Sequence, residues 1–162
     1  MYSKLCARLA KASLMFAAAG LVTIIACVLY QVFGRYVLND TPTWAEQFAL
    51  LLVSYVTMLG MSVGVRDSGH IGLESFLVLA PDAVRQKLEL VIHLLLICFG
   101  SAMVYYGSIL AVDQWNELLP TLGVPDGVRY LPICISGAMI VLFSIEHFIA
   151  IINNTEVEPA WH

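Results

Sequence analysis

The chain has 162 residues, of which 60% are hydrophobic and 12% are charged, and its mean hydropathy is +0.84. Because a soluble domain carries about 25% charged residues, this chain cannot cover a water-facing surface, and lipid is its expected solvent. The net charge of −4 argues against a nucleic-acid partner, which needs a basic face.

Four apolar segments, each long enough to cross a membrane, follow one another along the chain. A spanning helix needs about 20 apolar residues, and strands would show alternating polarity, which is absent. The sequence therefore predicts an all-α integral membrane protein in a single domain over residues 1–162. Its four transmembrane helices are expected at residues 12–34, 44–65, 88–112 and 128–152.

The distribution of Lys and Arg predicts the orientation of these helices. Six of the eight residues precede the first helix or lie between helices 2 and 3. Since cytoplasmic connections carry the excess of positive charge, both termini are predicted to be cytoplasmic, and the other two connections to face outward. The apolar region of a signal peptide has about 7–15 residues, and the first apolar run is longer than that. It is therefore predicted to remain as a membrane helix.

The connection between helices 1 and 2 concentrates polar groups in an apolar region. Pro42 suits the first turn of a helix, and Thr43-x-x-Glu46 is alternatively a capping box. Trp44 suits the headgroup level of a membrane. Arg35 and Glu46 flank the connection and are candidates for an ion pair. The corner is interpreted either as an interface anchor with a helix start or as a docking surface for a partner.

Helix 2 contains a GxxxG pattern formed by Gly60 and Gly64. Two glycines one turn apart allow another helix backbone to approach closely, which favours helix association in lipid. Two interpretations stay open, because the pattern can serve packing within this bundle or packing against another subunit.

A second polar corner follows helix 2, where Arg66, His70 and Glu74 are spaced four residues apart. Two intervening glycines disfavour a helix here, so a solvated cytoplasmic corner is expected. The apolar residues that follow, up to Pro81, are compatible with a short amphipathic segment lying in the membrane interface.

Ionisable side chains recur near the ends of helices 3 and 4 that share the predicted cytoplasmic side, namely Glu89, His93, Glu146 and His147. Two histidines at matched depth on neighbouring helices can ligate a b-type haem. An alternative function is therefore a haem-binding membrane anchor of a redox enzyme, with His93 and His147 as axial ligands. The other interpretation is a structural polar cluster, because groups this near the interface need no function.

The sequence contains no arrangement typical of a catalytic site, and no helix is interrupted near its middle as in a transporter's substrate site. The cysteines lack metal-ligand spacing and are predicted to be small buried hydrophobic residues. An autonomous channel or exporter is disfavoured, since the helices carry no polar stripe. These absences predict a chain that is not an enzyme, holds no metal and helps another chain to act.

Three stretches resemble the small membrane subunit of tripartite ATP-independent periplasmic (TRAP) transporters, the DctQ-like family. The resemblance covers nearly the whole chain, and the two corner motifs together are its specific part. The matching residues are Arg35-Tyr36-Val37-Leu38-Asn39 with Trp44-Ala45-Glu46, Arg66 with His70-Ile71 and Leu73-Glu74, and Gly123-Val124-Pro125 with Tyr130, Pro132 and Ile133.

The chain departs from the family pattern at two points. The family usually has a second acid after Trp-x-Glu, and this chain has Gln47. An arginine often seen a few residues later is absent, because residues 48–53 carry no charge. Any ion-pair network built on those two groups must be reduced or rearranged here.

The resemblance implies a non-enzymatic scaffold subunit in the bacterial inner membrane, surrounded by lipid. Its partners would be a large permease subunit and a periplasmic substrate-binding protein for an organic acid. The coupling sodium would bind to the large subunit, so no cofactor is expected on this chain. The residues carried over as partner-interface or structural corners are Arg35, Trp44, Glu46, Arg66, His70 and Glu74, and the candidate helix-packing residues are Gly60 and Gly64.

Overall fold

The computed structural model describes residues 2–40, 42–67 and 82–153, apart from the side chains of residues 82, 83, 85 and 86. Within these ranges the chain is helical and has no β-strand. Four segments are long and apolar enough to cross a membrane, with mean hydropathies of 2.0 to 2.4. The prediction of four transmembrane helices is confirmed. The helices are α1 (Tyr2–Phe33), α2 (Thr43–Asp67), α3 (Asp82–Asp113) and α4 (Leu131–Ile152).

Several predictions concern residues outside the described ranges. His70 and Glu74 of the second corner lie there, and so does the stretch from residue 71 to Pro81 that was expected in the interface.

The first helix begins ten residues earlier than its apolar run. Its N-terminal turns carry cations, but one side of these turns is apolar and buried. Cys6 and Ala10 pack in a cluster with Leu59 of α2 and Phe143 of α4. Burial of this side therefore continues the helix beyond the segment that hydropathy alone marks as membrane-spanning.

Helices α2 and α4 occupy the centre of the bundle and run in the same direction. α1 packs mainly against α2, and α3 packs against α4. Successive helices run in opposite directions. The start of α1 and the end of α4 therefore lie on the same side of the bundle as the last turn of α2 and the first turn of α3. This side is called the terminal end below. The opposite side, called the loop end, carries the connections from α1 to α2 and from α3 to α4.

The backbones of α3 and α4 approach closely where two glycines face each other. A Cβ atom on Gly100 would lie 2.8 Å from the carbonyl oxygen of Gly137, and a Cβ atom on Gly137 would lie 2.8 Å from that of Gly100. By contrast, a Cβ atom on Gly60 or Gly64 would have no heavy atom within 4 Å among the described neighbours. Close glycine packing thus occurs between α3 and α4, and the described part of this bundle does not use the GxxxG of α2.

Polar side chains inside the bundle also connect the helices. The hydroxyl of Ser136 on α4 donates to the carbonyl of Met58 on α2 at 2.7 Å, and the Tyr55 hydroxyl donates to the Val128 carbonyl at 3.0 Å. The cysteines are free thiols, of which Cys6 is buried. The prediction of buried thiols is wrong for Cys98, which is exposed on the outer side of α3, where lipid replaces protein as its apolar surroundings.

Candidate functional sites at the two ends of the bundle

A tight return of the chain forms the first corner at the loop end. Residues Gly34–Leu38 make a π-helical turn, and Asn39 follows in the left-handed region at φ 53°. Asparagine tolerates this conformation better than most residues. The Asp40 N–H donates to the Gly34 carbonyl at 3.0 Å, and a Cβ atom on Gly34 would lie 2.9 Å from the Asp40 carbonyl oxygen. The shape of this turn therefore accounts in part for the motif that runs from Arg35 to Asn39.

Two contacts join α1 to the start of α2 beside this turn. The rings of Tyr30 and Trp44 lie 5.9 Å apart, with Trp44 48% exposed. The Gln31 side-chain amide donates to the Glu46 carboxylate at 3.2 Å. Glu46 is thus engaged across the two helices, and the structure shows no capping-box hydrogen bond between it and Thr43. α2 begins at Thr43, directly after Pro42.

Arg35 is exposed at the same corner. Within the part of the chain that the structure describes, these two side chains form no ion pair. Because Gln31 satisfies Glu46 instead, Arg35 keeps its charge available to solvent, to a lipid headgroup or to a partner protein.

Gln47 connects the first corner to the turn before α4. Its side-chain oxygen accepts a hydrogen bond from Arg129 at 3.2 Å, and Arg129 also pairs with Asp126 at 3.2 Å. Arg129 is 47% exposed, so the attraction is screened by solvent. The residue that departs from the family pattern therefore makes a polar contact with an arginine, a hydrogen bond from a charged guanidinium to a neutral amide oxygen.

Arg66 lies at the terminal end and is buried, with 2% of its surface exposed. Its Nε and Nη2 donate to the two carboxylate oxygens of Glu146 at 3.0 and 3.2 Å, and its Nη1 donates to Asp67 at 2.8 Å. The guanidinium carbon also lies 5.9 Å from the centre of the Phe143 ring. The expectation of a solvated corner is wrong for Arg66, because Glu146 supplies the negative charge that allows the guanidinium to be buried.

Two histidines extend this polar cluster to α3. The rings of His93 and His147 stack at 4.8 Å with an angle of 6° between their planes. Nε2 of His147 lies 2.8 Å from the Arg66 carbonyl oxygen, which only accepts, so this nitrogen carries the donated hydrogen. The cluster therefore joins the ends of α2, α3 and α4, and includes the predicted ionisable residues His93, Glu146 and His147.

The geometry of the histidine pair does not fit the haem alternative. Axial ligation requires the two imidazoles to lie on opposite faces of a porphyrin, each with a nitrogen directed at the iron. Parallel rings in face-to-face contact leave no space for a porphyrin between them, and the His147 nitrogen is already bonded to a backbone carbonyl. The described residues also contain no group of three metal-ligating side chains.

Sequence reasoning missed several contacts, among them Arg66 with Glu146 and Gln47 with Arg129. A signal for the first was present, since Glu146 lies in an apolar helix and a buried acid needs a cation near the same end of the bundle. No comparable signal existed for the second, because both residues lie at helix starts where solvent can satisfy them.

Comparisons with known proteins agree with the resemblance of the corner motifs. The family described as "Tripartite ATP-independent periplasmic transporters, DctQ component" matches residues 24–154. The sialic acid TRAP transporter small permease protein SiaQ of Vibrio cholerae is 24% identical over 127 residues, which are 78% of this chain and 73% of that protein. A putative TRAP transporter small permease protein of Haemophilus influenzae is 22% identical over 148 residues, 89% of each chain.

A third relative has a different chain organisation. The sialic acid TRAP transporter permease protein SiaT of Haemophilus influenzae is 29% identical over 86 residues. These residues are 53% of this chain but only 14% of SiaT. The matching region is thus a small part of a much longer permease chain in that relative.

Proposed function

Since the chain belongs to the DctQ component family of tripartite ATP-independent periplasmic transporters, we propose that it is a static, non-catalytic scaffold for a large sodium-coupled permease subunit. The chain is a small permease subunit and a multi-pass protein of the inner membrane. The proposal adds the scaffold role, the sodium coupling of the partner and an organic acid as the transported substrate.

The observation that carries the scaffold role is the use of the buried polar groups. Arg66, Glu146, His93 and His147 are occupied with contacts that join three helices to one another. Polar groups that bind a substrate must exchange partners during transport, whereas these contacts hold helix ends in place. The substrate and sodium sites then belong to the large subunit, and this chain carries no cofactor.

The partner follows from the family and from SiaT. TRAP small permeases act with large permease subunits, and in SiaT a matching segment is part of one long permease chain. Joining the two regions in one chain keeps them in constant proximity, which suits a permanent contact. The unused glycines Gly60 and Gly64 of α2 offer the large subunit a surface where a helix can approach closely.

The orientation assigns the two ends of the bundle to the two sides of the membrane. Both termini are cytoplasmic, because six of the eight cationic residues lie on that side. The loop end then faces the periplasm, and its exposed Arg35, Trp44 and Glu46 are available to the substrate-binding protein.

Affinity purification from a strain that carries a tag on this chain tests the assignment. The expected result is a stable complex with a much larger membrane protein. In inside-out vesicles, whose outer surface is the cytoplasmic side of the membrane, an added protease should remove tags from both termini of this chain. A chain that purifies alone under conditions mild enough to preserve other membrane complexes would overturn the proposal.

A further inference from the structure

Three cations of α1 form a stripe that faces away from the bundle. Lys4, Arg8 and Lys11 are exposed, and their i, i+4 and i+7 spacing places them on one narrow side of the helix. Cys6 and Ala10, which are 1% and 0% exposed, lie on the opposite side of the same turns. These three residues are called the cationic stripe below.

The position of the membrane along α1 can be set from the aromatic contact at the other end. Tyr30 and Trp44 pack together there, and such rings occupy the headgroup level. A hydrocarbon core of about 30 Å corresponds to about 20 residues of helix, so the opposite boundary crosses α1 near residue 10. Lys11 therefore lies at this boundary, and Arg8 and Lys4 lie among the lipid headgroups.

Within the described ranges, no acidic side chain forms an ion pair with the stripe. The two acids nearest to this end in the packed core, Asp67 and Glu146, are bound to Arg66. Lys4, Arg8 and Lys11 have no ion pair with any residue that the structure describes. Exposed apolar side chains adjoin the stripe, with Leu5 56% and Met15 67% exposed.

We propose that the cationic stripe binds the phosphate groups of anionic phospholipids. Cations at the headgroup level, next to exposed apolar side chains, match a molecule with a negative head and an acyl tail. Long Lys and Arg side chains reach from the helix to phosphates while their stems cover acyl chains. A protein surface would have to present acids beside an apolar face at the same depth. The proposal requires only that α1 spans the membrane, and it does not depend on the scaffold role.

Native mass spectrometry of the purified full chain in neutral detergent tests this binding. Phosphatidylglycerol and phosphatidylcholine with the same acyl chains are titrated separately, and the bound fraction is measured. A cation near an anionic membrane surface contributes about fivefold to binding, so the wild-type chain should prefer phosphatidylglycerol by about tenfold or more. Inorganic phosphate at the same concentration should neither bind nor displace the lipid.

Three variants identify the stripe as the site. The triple variant Lys4→Gln/Arg8→Gln/Lys11→Gln should lose the preference, while Lys4→Arg/Lys11→Arg should retain it. Lys87→Gln removes an exposed cation of α3, outside the stripe, and should leave the preference within about twofold of wild type because the three cations of the stripe remain.

Equal binding of the two lipids by wild type would overturn the proposal, and so would a preference that persists in the triple variant. Displacement by inorganic phosphate would make the stripe a simple anion site and also contradict it. If lipid preference were absent and the triple variant instead failed to co-purify with the large permease, the stripe would be a protein contact, and the proposal would be wrong while the scaffold role stood.

Discussion

The guanidinium of Arg66 and the carboxylate of Glu146 face each other in a two-bond ion pair that joins α2 to α4, with bond lengths of 3.0 and 3.2 Å. Their side chains are 1% and 4% exposed. The pair lies where the two central helices end, so it sets the axial alignment of α2 relative to α4. Asp67 and the stacked histidines then connect this pair to the neighbouring turn and to α3.

Removal of one residue of the Arg66–Glu146 ion pair should destabilise the protein. Glu146→Ala leaves the Arg66 charge buried with less compensation, and we expect the free energy of unfolding to fall by up to about 3–5 kcal/mol. Chemical denaturation of the purified chain in detergent measures this change. Arg35→Ala removes an exposed arginine and is the matched control, with an expected change within about 0.5 kcal/mol. A loss in Glu146→Ala no larger than in the control would show that the pair contributes little.

Removal of both partners should be milder than the sum of the single changes. Replacing a buried ion pair by apolar residues of similar volume is often close to neutral, so Arg66→Met with Glu146→Leu should recover much of the loss seen in each single variant. A double-mutant cycle gives the coupling energy of the pair. Additive losses would mean that Asp67 and the histidines hold Arg66 without help from Glu146.

Substitution of glycine by alanine should change the stability of the protein in opposite directions in α3 and α2. Gly100→Ala forces apart the backbones of α3 and α4, and we expect a destabilisation of about 1–3 kcal/mol from overpacking. Gly60→Ala meets open space and improves helix propensity by up to about 1 kcal/mol, so the isolated chain should be unchanged or slightly more stable. Thermal unfolding of both variants decides between these outcomes, and equal destabilisation would contradict the packing described.

Gln47→Glu should convert the hydrogen bond with Arg129 into an ion pair. Because Arg129 is half exposed, the gain in unfolding free energy should stay below about 1 kcal/mol. The same substitution in an Arg129→Gln background should give no gain. An equal effect in both backgrounds would show that Gln47 acts through some other group.

Trp44 should matter more for transport than for the stability of the bundle. If the loop end docks the substrate-binding protein, Trp44→Ala removes an exposed aromatic side chain from the contact and weakens docking by about 30-fold, the effect of losing about 2 kcal/mol. Uptake at limiting binding protein should fall accordingly. Tyr106→Ala removes an exposed aromatic ring from α3, 64% exposed against 48% for Trp44, and should leave uptake unchanged. Normal docking in Trp44→Ala would restrict Trp44 to its role as a membrane anchor.

The sequence predicted the helices because each spanning segment carries its own signal, an apolar run of sufficient length. It missed the first ten residues of α1, where Lys4, Arg8 and Lys11 lower the hydropathy although the opposite side is buried. The α3–α4 glycine contact was also missed, since Gly100 and Gly137 are far apart in sequence and show no local pattern. Contacts between helices depend on which helices are neighbours, and hydropathy carries no information on that.

The corner motifs show the same division between local and long-range information. The return from Gly34 to Asp40 is a local structure, and its motif was recognisable before the structure was known. The engagement of Glu46 by Gln31, in place of the proposed pair with Arg35, depends on how α1 and α2 align over 15 residues of chain. Pairing with Arg35 required only proximity in sequence, which does not determine where an exposed side chain points.

The central claim is that this chain supports a transporter without carrying the substrate itself. Sodium-driven uptake by the large permease, measured in proteoliposomes with its binding protein present, tests the claim most directly. We predict that uptake requires this chain. We also predict that uptake continues after conservative replacement of every ionisable side chain at the loop end of the bundle, and that any decrease in its rate comes from weaker docking or assembly. Uptake by the large permease at full rate and full stability in the absence of this chain would contradict the account.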